Sequence, residues 1–336
     1  MKKPPFRRAG LIVIVATLFS IPVRAQHLGT PVLPQDLPKT CLLIEIATPV
    51  HNEAYQPVGS MTVPDSIRTN GSKILDSHLY VKVEQDVTNY FPVASAVFVS
   101  FSNVVFIVTA DHVVAANPEL TFRIPQNGGV PTKHLSHRDM VAKYSCDWIR
   151  DTEDDIAVIP YSLDDASDDI KVVSVEQGLA GYEDVKVGDE IFVLGCPSSV
   201  VGDVDPATHF VRNGIVSAKL DAPRIVLDAF VFPGNSGGPV FWKPSIGMHV
   251  SGLLTGPDIQ GRGSKLVGIV SQLTEYKDEA FSRQTGHSRV TFEENSGLAI
   301  VISSSAITKI MQHKNILDLV TIANENFERK VKPVSK

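Results

Sequence analysis

The chain is divided into many short apolar runs that are separated by Gly, Pro, Asn and Asp. The runs are rich in Val, Ile and Phe, which favour β-strands, and the residues between them favour turns. We expect strands at residues 79–83, 94–101, 104–109, 120–124, 156–159, 190–195, 210–218, 224–230, 239–242, 250–254, 265–272 and 298–302. Because few helical segments separate these strands, the pattern predicts an all-β fold of antiparallel barrels or sandwiches rather than a parallel α/β sheet.

Helical periodicity is concentrated near the C-terminus. Residues 303–305 can cap a helix on which Ile307, Ile310 and Met311 share one face. A second helical stretch is expected over residues 316–327. The polar residues 275–296 are expected to form a surface loop between two strands.

The first 25 residues have the order of a secretory signal peptide, in which a basic segment precedes an apolar one. Val23 and Ala25 supply the small side chains of a cleavage site before Gln26. A membrane anchor is the alternative, but the stretch is shorter than the ~20 residues of a spanning helix, and Ser20 and Pro22 interrupt its end. We therefore expect an exported protein, periplasmic or secreted, without a membrane span after cleavage. Residues 26–77 are expected to form an extended N-terminal segment.

Charge and cysteine usage argue against several classes of partner and cofactor. The net charge is −6, and residues 1–25 contain only basic charges, so the remainder is more acidic and is not expected to bind nucleic acid. The three cysteines, Cys41, Cys146 and Cys196, leave at least one thiol unpaired, or paired between chains, in an exported protein. No C-x-x-C motif occurs, so we expect neither a metal site nor a cofactor.

The segment at residues 232–239, Phe-Pro-Gly-Asn-Ser-Gly-Gly-Pro, is the most informative part of the sequence. Ser236 lies among three glycines, which allow a tight turn and can direct successive backbone N–H groups to one point. An oxyanion hole requires such an arrangement of donors. A glycine-rich turn without a catalytic role is the alternative for this segment considered alone.

Two further segments supply the groups that a serine nucleophile needs. His112 follows the apolar run 104–109, and Asp155 opens the run 156–159. A serine hydroxyl requires a base, and the base requires a group that orients it. Asp154 competes with Asp155 for the orienting role. A structural histidine and a turn aspartate are the ordinary interpretations of each segment by itself, but all three segments occur in the order His, Asp, Ser.

These motifs resemble those of the trypsin-like (chymotrypsin-fold) serine proteases, especially the bacterial high-temperature-requirement type. The family motifs T-A-x-H, D-[IL]-A-[LV]-[LIV] and G-[DN]-S-G-G-P correspond to residues 109–112, 155–159 and 234–239. The resemblance covers residues 78–312 and implies two antiparallel six-stranded β-barrels with a C-terminal helix. The first barrel is expected over about 78–175, the second over about 187–302, and a helical tail over 313–336. Too few residues follow the expected helix for the PDZ domain that bacterial members often carry.

The resemblance also implies a role for each residue of the motifs. Ser236 would attack the peptide carbonyl to form an acyl-enzyme, His112 would transfer the proton, and Asp155 would orient His112. The backbone N–H groups of Gly234 and Ser236 would bind the oxyanion. The substrates would be proteins or peptides, and no metal or organic cofactor would take part. The substrate pocket would be lined by residues on both sides of the nucleophile, namely Phe230, Ser271, Gln272 and Leu273.

The sequence departs from the family pattern at two positions beside the motifs. Asp111 precedes His112 and would either raise the pKa of His112 or simply face water; the second is the expectation from the sequence. Asn235 replaces an aspartate that pairs with a new N-terminus in digestive members, so zymogen activation of that kind is not expected.

Two other functions compete with peptide hydrolysis. A catalytically degenerate binding protein would normally have lost a triad residue, whereas all three are present. An α/β-hydrolase esterase would need a helix after Ser236 and a later histidine as base, and the β-type residues after Ser236 disfavour it.

Overall fold

The computed structural model describes residues 34–60, 78–129, 132–197, 209–249 and 258–331. The expected signal peptide and the expected strand at 250–254 lie outside these residues. The chain divides into two compact units, one comprising residues up to Ile46 together with those from Pro92 onward, and the other comprising Ala47–Phe91. Within the described residues, none of the helices combines the length and the apolar character needed to span a membrane.

The N-terminal half contains strands and three short helices. In chain order they are α1 (Leu37–Thr40), β1 (Cys41–Ser60), β2 (His78–Phe101), β3 (Val104–Thr109), α2 (Asp111–Ala116), β4 (Thr121–Ile124), β5 (Lys133–Ser136), α3 (His137–Tyr144), β6 (Ile149–Asp151), β7 (Ile156–Tyr161) and β8 (Val173–Ser174). Seven of the strands follow the order β5-β4-β1-β2-β3-β7-β6, and β8 pairs in parallel with β2. The described sheet therefore has eight strands, two more than the sequence predicted.

The centre of this sheet is fully buried because its strands are apolar on both faces. All six residues of β3 and all six of β7 are buried, and the two strands pair antiparallel with Val108 opposite Val158. Two clusters of apolar side chains cover them, so neither face meets water. This burial fixes the C-terminal end of β3 and the N-terminal end of β7 beside each other.

The C-terminal half contains strands followed by two helices. They are β9 (Glu190–Gly195), β10 (Phe210–Lys219), β11 (Arg224–Asp228), β12 (Pro239–Trp242), β13 (Ser245–His249), β14 (Asp258–Arg262), β15 (Leu266–Phe281), β16 (Ser288–Ser303), α4 (Ser304–Ile310) and α5 (Lys314–Val331). Six strands close an antiparallel barrel in the order β10-β11-β16-β15-β12-β9, whereas β13 and β14 pair separately. The predicted all-β class and the second six-stranded barrel are thereby confirmed.

The residues expected to form a loop at 275–296 instead belong to a long hairpin. β15 and β16 remain paired from Gly268 opposite Ser303 to Phe281 opposite Ser288. The outer part of the hairpin is exposed, so its polar side chains do not prevent strand formation. The expectation of a surface loop was wrong for the backbone conformation and correct for exposure.

The C-terminal helix predicted after β16 is present as α4. The Ser303 side chain accepts a hydrogen bond from the backbone N–H of Ser305, which caps the helix. Ile307 and Ile310 of α4 pack into a core that also contains Val108 of β3 and Ile269 of β15. This shared core joins the N-terminal sheet to the barrel within one compact unit.

Candidate active site

His112 lies in the first turn of α2, directly after the buried strand β3. The extended backbone of Ala110 separates the strand from the helix and turns the chain out of the sheet. The His112 side chain is 48% exposed, so its ring is accessible at the end of the sheet. Sequence reasoning located the residue but did not predict the helix that carries it.

Asp155 lies at the end of the turn that leads into β7. Its φ of +50° lies in the left-handed region, and the Asp151 carboxylate stabilises the turn by accepting the backbone N–H groups of Glu153 and Asp154 at 3.1 Å. Both Asp155 carboxylate oxygens lie 3.0 Å from Nδ1 of His112, and Oδ1 also accepts the His112 backbone N–H at 3.0 Å. The structure therefore places Asp155 where it can orient the imidazole.

Asp154, the competing acid, faces a different partner. Its Oδ2 atom lies 2.7 Å from Nζ of Lys309 in α4, and Lys309 also lies 3.0 Å from Asp151. These ion pairs attach the turn that precedes Asp155 to the C-terminal helix. Asp154 thus contributes to the position of the turn and not to the contact with His112.

Ser236 lies in the loop between β11 and β12, which is held against the N-terminal sheet by Ser95 of β2. The Ser95 backbone N–H donates to the Ser236 carbonyl oxygen at 2.9 Å, and Ser95 Oγ donates to the Gly234 carbonyl oxygen at 2.8 Å. Gly237 has a φ of +80°, and a Cβ atom there would lie 2.1 Å from the Ser95 carbonyl oxygen and 2.2 Å from Thr109 Oγ1. Glycine is therefore required at this position by both backbone conformation and space.

Ser271 of β15 contacts both Asp155 and Ser236. Its hydroxyl lies 2.5 Å from Oδ2 of Asp155, and its carbonyl oxygen accepts the Ser236 hydroxyl at 3.3 Å. The sequence predicted Ser271 as a pocket residue only, and its hydrogen bond to Asp155 was not anticipated. Together these contacts bring His112, Asp155 and Ser236 into one site.

The hydrogen bonds of this site shift the pKa values of both members of the acid–base pair. The hydrogen bond with Asp155 raises the pKa of His112 above its ordinary value, although burial opposes the shift. Burial tends to raise the pKa of Asp155, but hydrogen bonds from His112 and Ser271 outweigh it and lower the pKa. The carboxylate therefore stays ionised while the imidazole becomes a stronger base.

Asp111 does not face water, contrary to the expectation from the sequence. It is 6% exposed, and its carboxylate makes two contacts with the Arg150 guanidinium, at 2.5 Å to Nε and 2.9 Å to Nη2. A buried carboxylate needs such a partner, because burial of an unpaired charge reduces the stability of the folded protein. The negative charge of Asp111 also contributes to the raised pKa of His112, which is the other of the two roles that the sequence left open for Asp111.

The two predicted oxyanion donors lie in the same loop. Gly234 has a φ of +97°, and within the described part of the chain neither its N–H nor that of Ser236 donates a hydrogen bond. Asn235 between them is 1% exposed, accepts the Phe232 backbone N–H at 3.1 Å, and packs against Gly195. A buried neutral amide thus supports the loop that contains Ser236.

The predicted pocket residues are distributed over different surroundings. Phe230 is 56% exposed and its ring lies over Gly297. Gln272 is exposed, and Leu273 is partly buried against the barrel core. Asp228, the acid nearest to Phe230 in the sequence, is exposed at the end of β11. The role of these residues in substrate binding remains a prediction.

Comparison with known proteins finds similarity in the part of the chain that contains this site. Residues 94–244 match the family model described as the trypsin-like peptidase domain. A probable periplasmic serine endoprotease of the DegP-like kind from Hahella chejuensis (strain KCTC 2396) is 29% identical over 143 residues. The match includes 40% of this chain and 24% of that relative, so the chain spans about a quarter of the relative's length.

Solved structures of related proteins resemble this chain more distantly. The HtrA-type protease AlgW with a decapeptide is 16% identical, with a TM-score of 0.45 over 84% of this chain and 66% of that chain. The serine endoprotease from Yersinia pestis is 16% identical, with a TM-score of 0.42 over 84% of this chain and 65% of that chain.

Proposed function

We propose that the chain is a serine endopeptidase that hydrolyses proteins or peptides through an acyl-enzyme. The observation that supports this proposal best is the contact of Nδ1 of His112 with both oxygens of Asp155, in a site that Ser271 connects to Ser236. With Nδ1 occupied in this way, the other ring nitrogen, Nε2, is left to accept the serine proton. The family match to residues 94–244 supports the same reaction class.

The reaction begins when the Ser236 hydroxyl leaves the Ser271 carbonyl oxygen and donates its hydrogen bond to His112. Ser236 Oγ attacks the peptide carbonyl while Nε2 of His112 takes the proton, and Asp155 stabilises the imidazolium that forms. The N–H groups of Gly234 and Ser236 bind the oxyanion. His112 then protonates the leaving amine, and a water molecule that His112 deprotonates hydrolyses the acyl-enzyme.

A covalent serine probe tests this assignment directly. We expect a fluorophosphonate to label the wild-type chain at Ser236, and Ser236→Ala and His112→Ala to reduce peptide turnover by about 10⁴-fold. Ser288→Ala and His287→Ala change exposed residues of the β15–β16 hairpin and should leave both readouts unchanged. Retained turnover in Ser236→Ala would mean that another nucleophile is at work.

The orienting acid has its own matched pair of variants. Asp155→Asn removes the negative charge and replaces one acceptor oxygen with an NH2 donor, so it should reduce kcat by about 10⁴-fold because the imidazole loses its tautomer control. Glu153→Gln changes an exposed neighbour in the same turn and should have no comparable effect. A similar loss in both variants would indicate damage to the turn instead of a role for Asp155.

The same experiments also test two other functions. A binding protein without catalysis would bind peptides but show no His112-dependent labelling. An esterase of the α/β-hydrolase kind is disfavoured because the strand β12, and not a helix, follows Ser236.

We further propose that the residue before the cleaved bond is a small or medium aliphatic one. Phe230, and not an acid that would attract Lys or Arg, occupies the position six residues before Ser236. A buried substrate cation needs a partner charge, so an apolar pocket disfavours Lys and Arg. Peptides that differ only in Val or Arg at this position measure the preference, and faster cleavage of the Arg peptide would contradict it.

Export is proposed on the basis of residues 1–25, and the periplasmic description of the Hahella chejuensis relative is consistent with it. Fractionation of cells followed by N-terminal sequencing of the chain should find it outside the cytoplasm and beginning at Gln26. A chain that begins at Met1 and stays in the cytoplasm would overturn this proposal.

A further inference from the structure

Two thiols and an imidazole converge at a place that the proposed reaction does not use. Cys41 begins β1, Cys196 follows β9, and His209 precedes β10. One ligand atom from each of the three side chains lies within 4.8 Å of the other two. The pairing of β9 with β10, in which Phe210 is opposite Gly195, brings Cys196 and His209 together, and the burial of β1 adds Cys41.

The surroundings of these side chains differ from those of ordinary core residues. Cys41 and Cys196 are each 1% exposed, and neither forms a disulfide. The Nε2 atom of His209 is buried, and no described oxygen or nitrogen atom forms a hydrogen bond with it. A buried polar atom normally has a partner, so the lack of an oxygen or nitrogen partner for Nε2, in an imidazole that adjoins two thiols, suggests a missing ligand.

We propose that Cys41, Cys196 and His209 bind one thiophilic cation, Zn²⁺, as three of the four ligands of a tetrahedral site. Thiolate sulfur and imidazole nitrogen are the ligands that Zn²⁺ prefers, and oxygen-preferring cations such as Mg²⁺ and Ca²⁺ do not bind this donor set. A water molecule or another small ligand would complete the coordination. This proposal does not depend on the proposed peptidase activity, since none of the three residues takes part in that reaction.

The protonation of the thiols is compatible with cation binding near neutral pH. The hydrogen bond with Cys41 lowers the pKa of Cys196 although burial opposes the shift, and the neighbouring His209 lowers it further. Burial raises the pKa of Cys41, so this thiol releases its proton when the cation binds. Binding should therefore release protons and weaken as the pH falls.

The site would join two parts of the fold that also hold the nucleophile loop. The Cys196 backbone N–H donates to Ser95 Oγ at 3.0 Å, and Ser95 Oγ donates to the Gly234 carbonyl oxygen at 2.8 Å. A cation bound by Cys41 and Cys196 would therefore brace β1 and β9 on either side of Ser95. Its expected role is to stabilise the folded chain, while the hydrolytic chemistry proceeds without it.

Direct measurement of bound zinc tests the proposal on the full chain. The chain is purified under reducing conditions, stripped with a chelator, incubated with Zn²⁺ and desalted, and the retained zinc is measured by mass spectrometry. We expect one equivalent in the wild type, a higher melting temperature with Zn²⁺ than without it, and loss of both effects in Cys41→Ser and Cys196→Ser. His209→Gln should weaken binding, and Cys146→Ser, a half-buried cysteine outside the cluster, should bind as the wild type does.

A second measurement on the unsubstituted chain covers the case in which a buried cysteine variant fails to fold. Co²⁺ added to the stripped wild type should produce a thiolate-to-metal charge-transfer absorption, and Zn²⁺ should abolish it by displacement. Retention of zinc by Cys41→Ser at the wild-type level would overturn the proposal. So would a fully reduced wild type that retains no zinc and shows no Co²⁺ absorption.

Discussion

Two features of the structure require a glycine at position 237, directly after Ser236: a left-handed backbone conformation and the lack of space for a Cβ atom. Replacement of Gly237 by alanine, compared with a control glycine, measures the contribution of each. The φ of +80° costs an alanine about 1–2 kcal/mol, because Cβ then approaches the next carbonyl oxygen. The same methyl group would lie 2.1 Å from the Ser95 carbonyl oxygen and 2.2 Å from Thr109 Oγ1, which are themselves hydrogen bonded at 2.8 Å. Overpacking of this kind costs about 1–3 kcal/mol, so the total is about 2–5 kcal/mol.

Gly188→Ala is the matched control, because Gly188 has a φ of +91° and no atom within 4 Å of its Cβ position. We expect it to cost only the backbone term of about 1–2 kcal/mol. A loss of 1 kcal/mol of stability lowers the melting temperature by about 2–4 °C. Thermal unfolding should therefore show a decrease of about 2–8 °C in Gly188→Ala and of about 4–20 °C in Gly237→Ala. Labelling of Ser236 by the serine probe should slow in Gly237→Ala only. Equal destabilisation of both variants, with equal labelling, would refute the argument from close contact.

Four further predictions concern the charges and hydrogen bonds around the imidazole and the turn before Asp155. Ser271→Ala removes a hydrogen bond to the Asp155 carboxylate and should lower kcat/KM by about tenfold, equivalent to about 1.4 kcal/mol, with little change in KM. In wild type, kcat/KM should rise with pH through a His112 pKa above the ordinary value of 6.5, since only neutral imidazole is a base. Asp111→Asn removes a charge that raises this pKa, so the acidic limb of the pH–rate profile should move to lower pH; a shift to higher pH would contradict this electrostatic role. Lys309→Met should lower kcat more than KM through the turn before Asp155, and it should also lower the melting temperature, because it leaves the buried Asp154 carboxylate without its cation; unchanged kcat would show that the turn holds its position without Lys309.

The strands could be predicted from sequence because most of them are buried on at least one face. The runs 104–109 and 156–159 correspond to β3 and β7, whose residues are all buried, so their apolar character was a direct signal. The helix α2 was not predicted, since Val113 and Val114 are β-branched and give a six-residue segment no helical pattern. Tertiary packing, and not local propensity, sets the conformation of such a short element.

The hairpin of β15 and β16 escaped prediction for a different reason. Phe281 and Phe292 are both more than half exposed, and Lys277 lies 2.8 Å from Glu293 across the pair. Because the outer hairpin is solvated on both faces, it has no alternation of apolar and polar residues for sequence reasoning to detect. Backbone pairing with an adjacent strand can be seen only in three dimensions.

Only the residues of the candidate site that lie in sequence motifs could be predicted. His112, Asp155 and Ser236 each stand in a recognisable local context, and the structure brings them together through Ser271. The ion pairs of Asp111 and Asp154, and the cluster of Cys41, Cys196 and His209, depend on partners far away in the sequence. No local pattern marks such partners, which is why the sequence missed them.

The closure of the barrel has a consequence for the smallest piece of this chain that can exist alone. The region that matches the family model ends at residue 244, before β15 and β16 begin. A fragment cut there would lack two of the six barrel strands and would leave β11 and β12 with free edges. Unpaired edges of this kind recruit strands from other molecules, so such a fragment is expected to self-associate. The autonomous folding unit therefore extends through the strands that return to complete the ring, well beyond the stretch that relatives share.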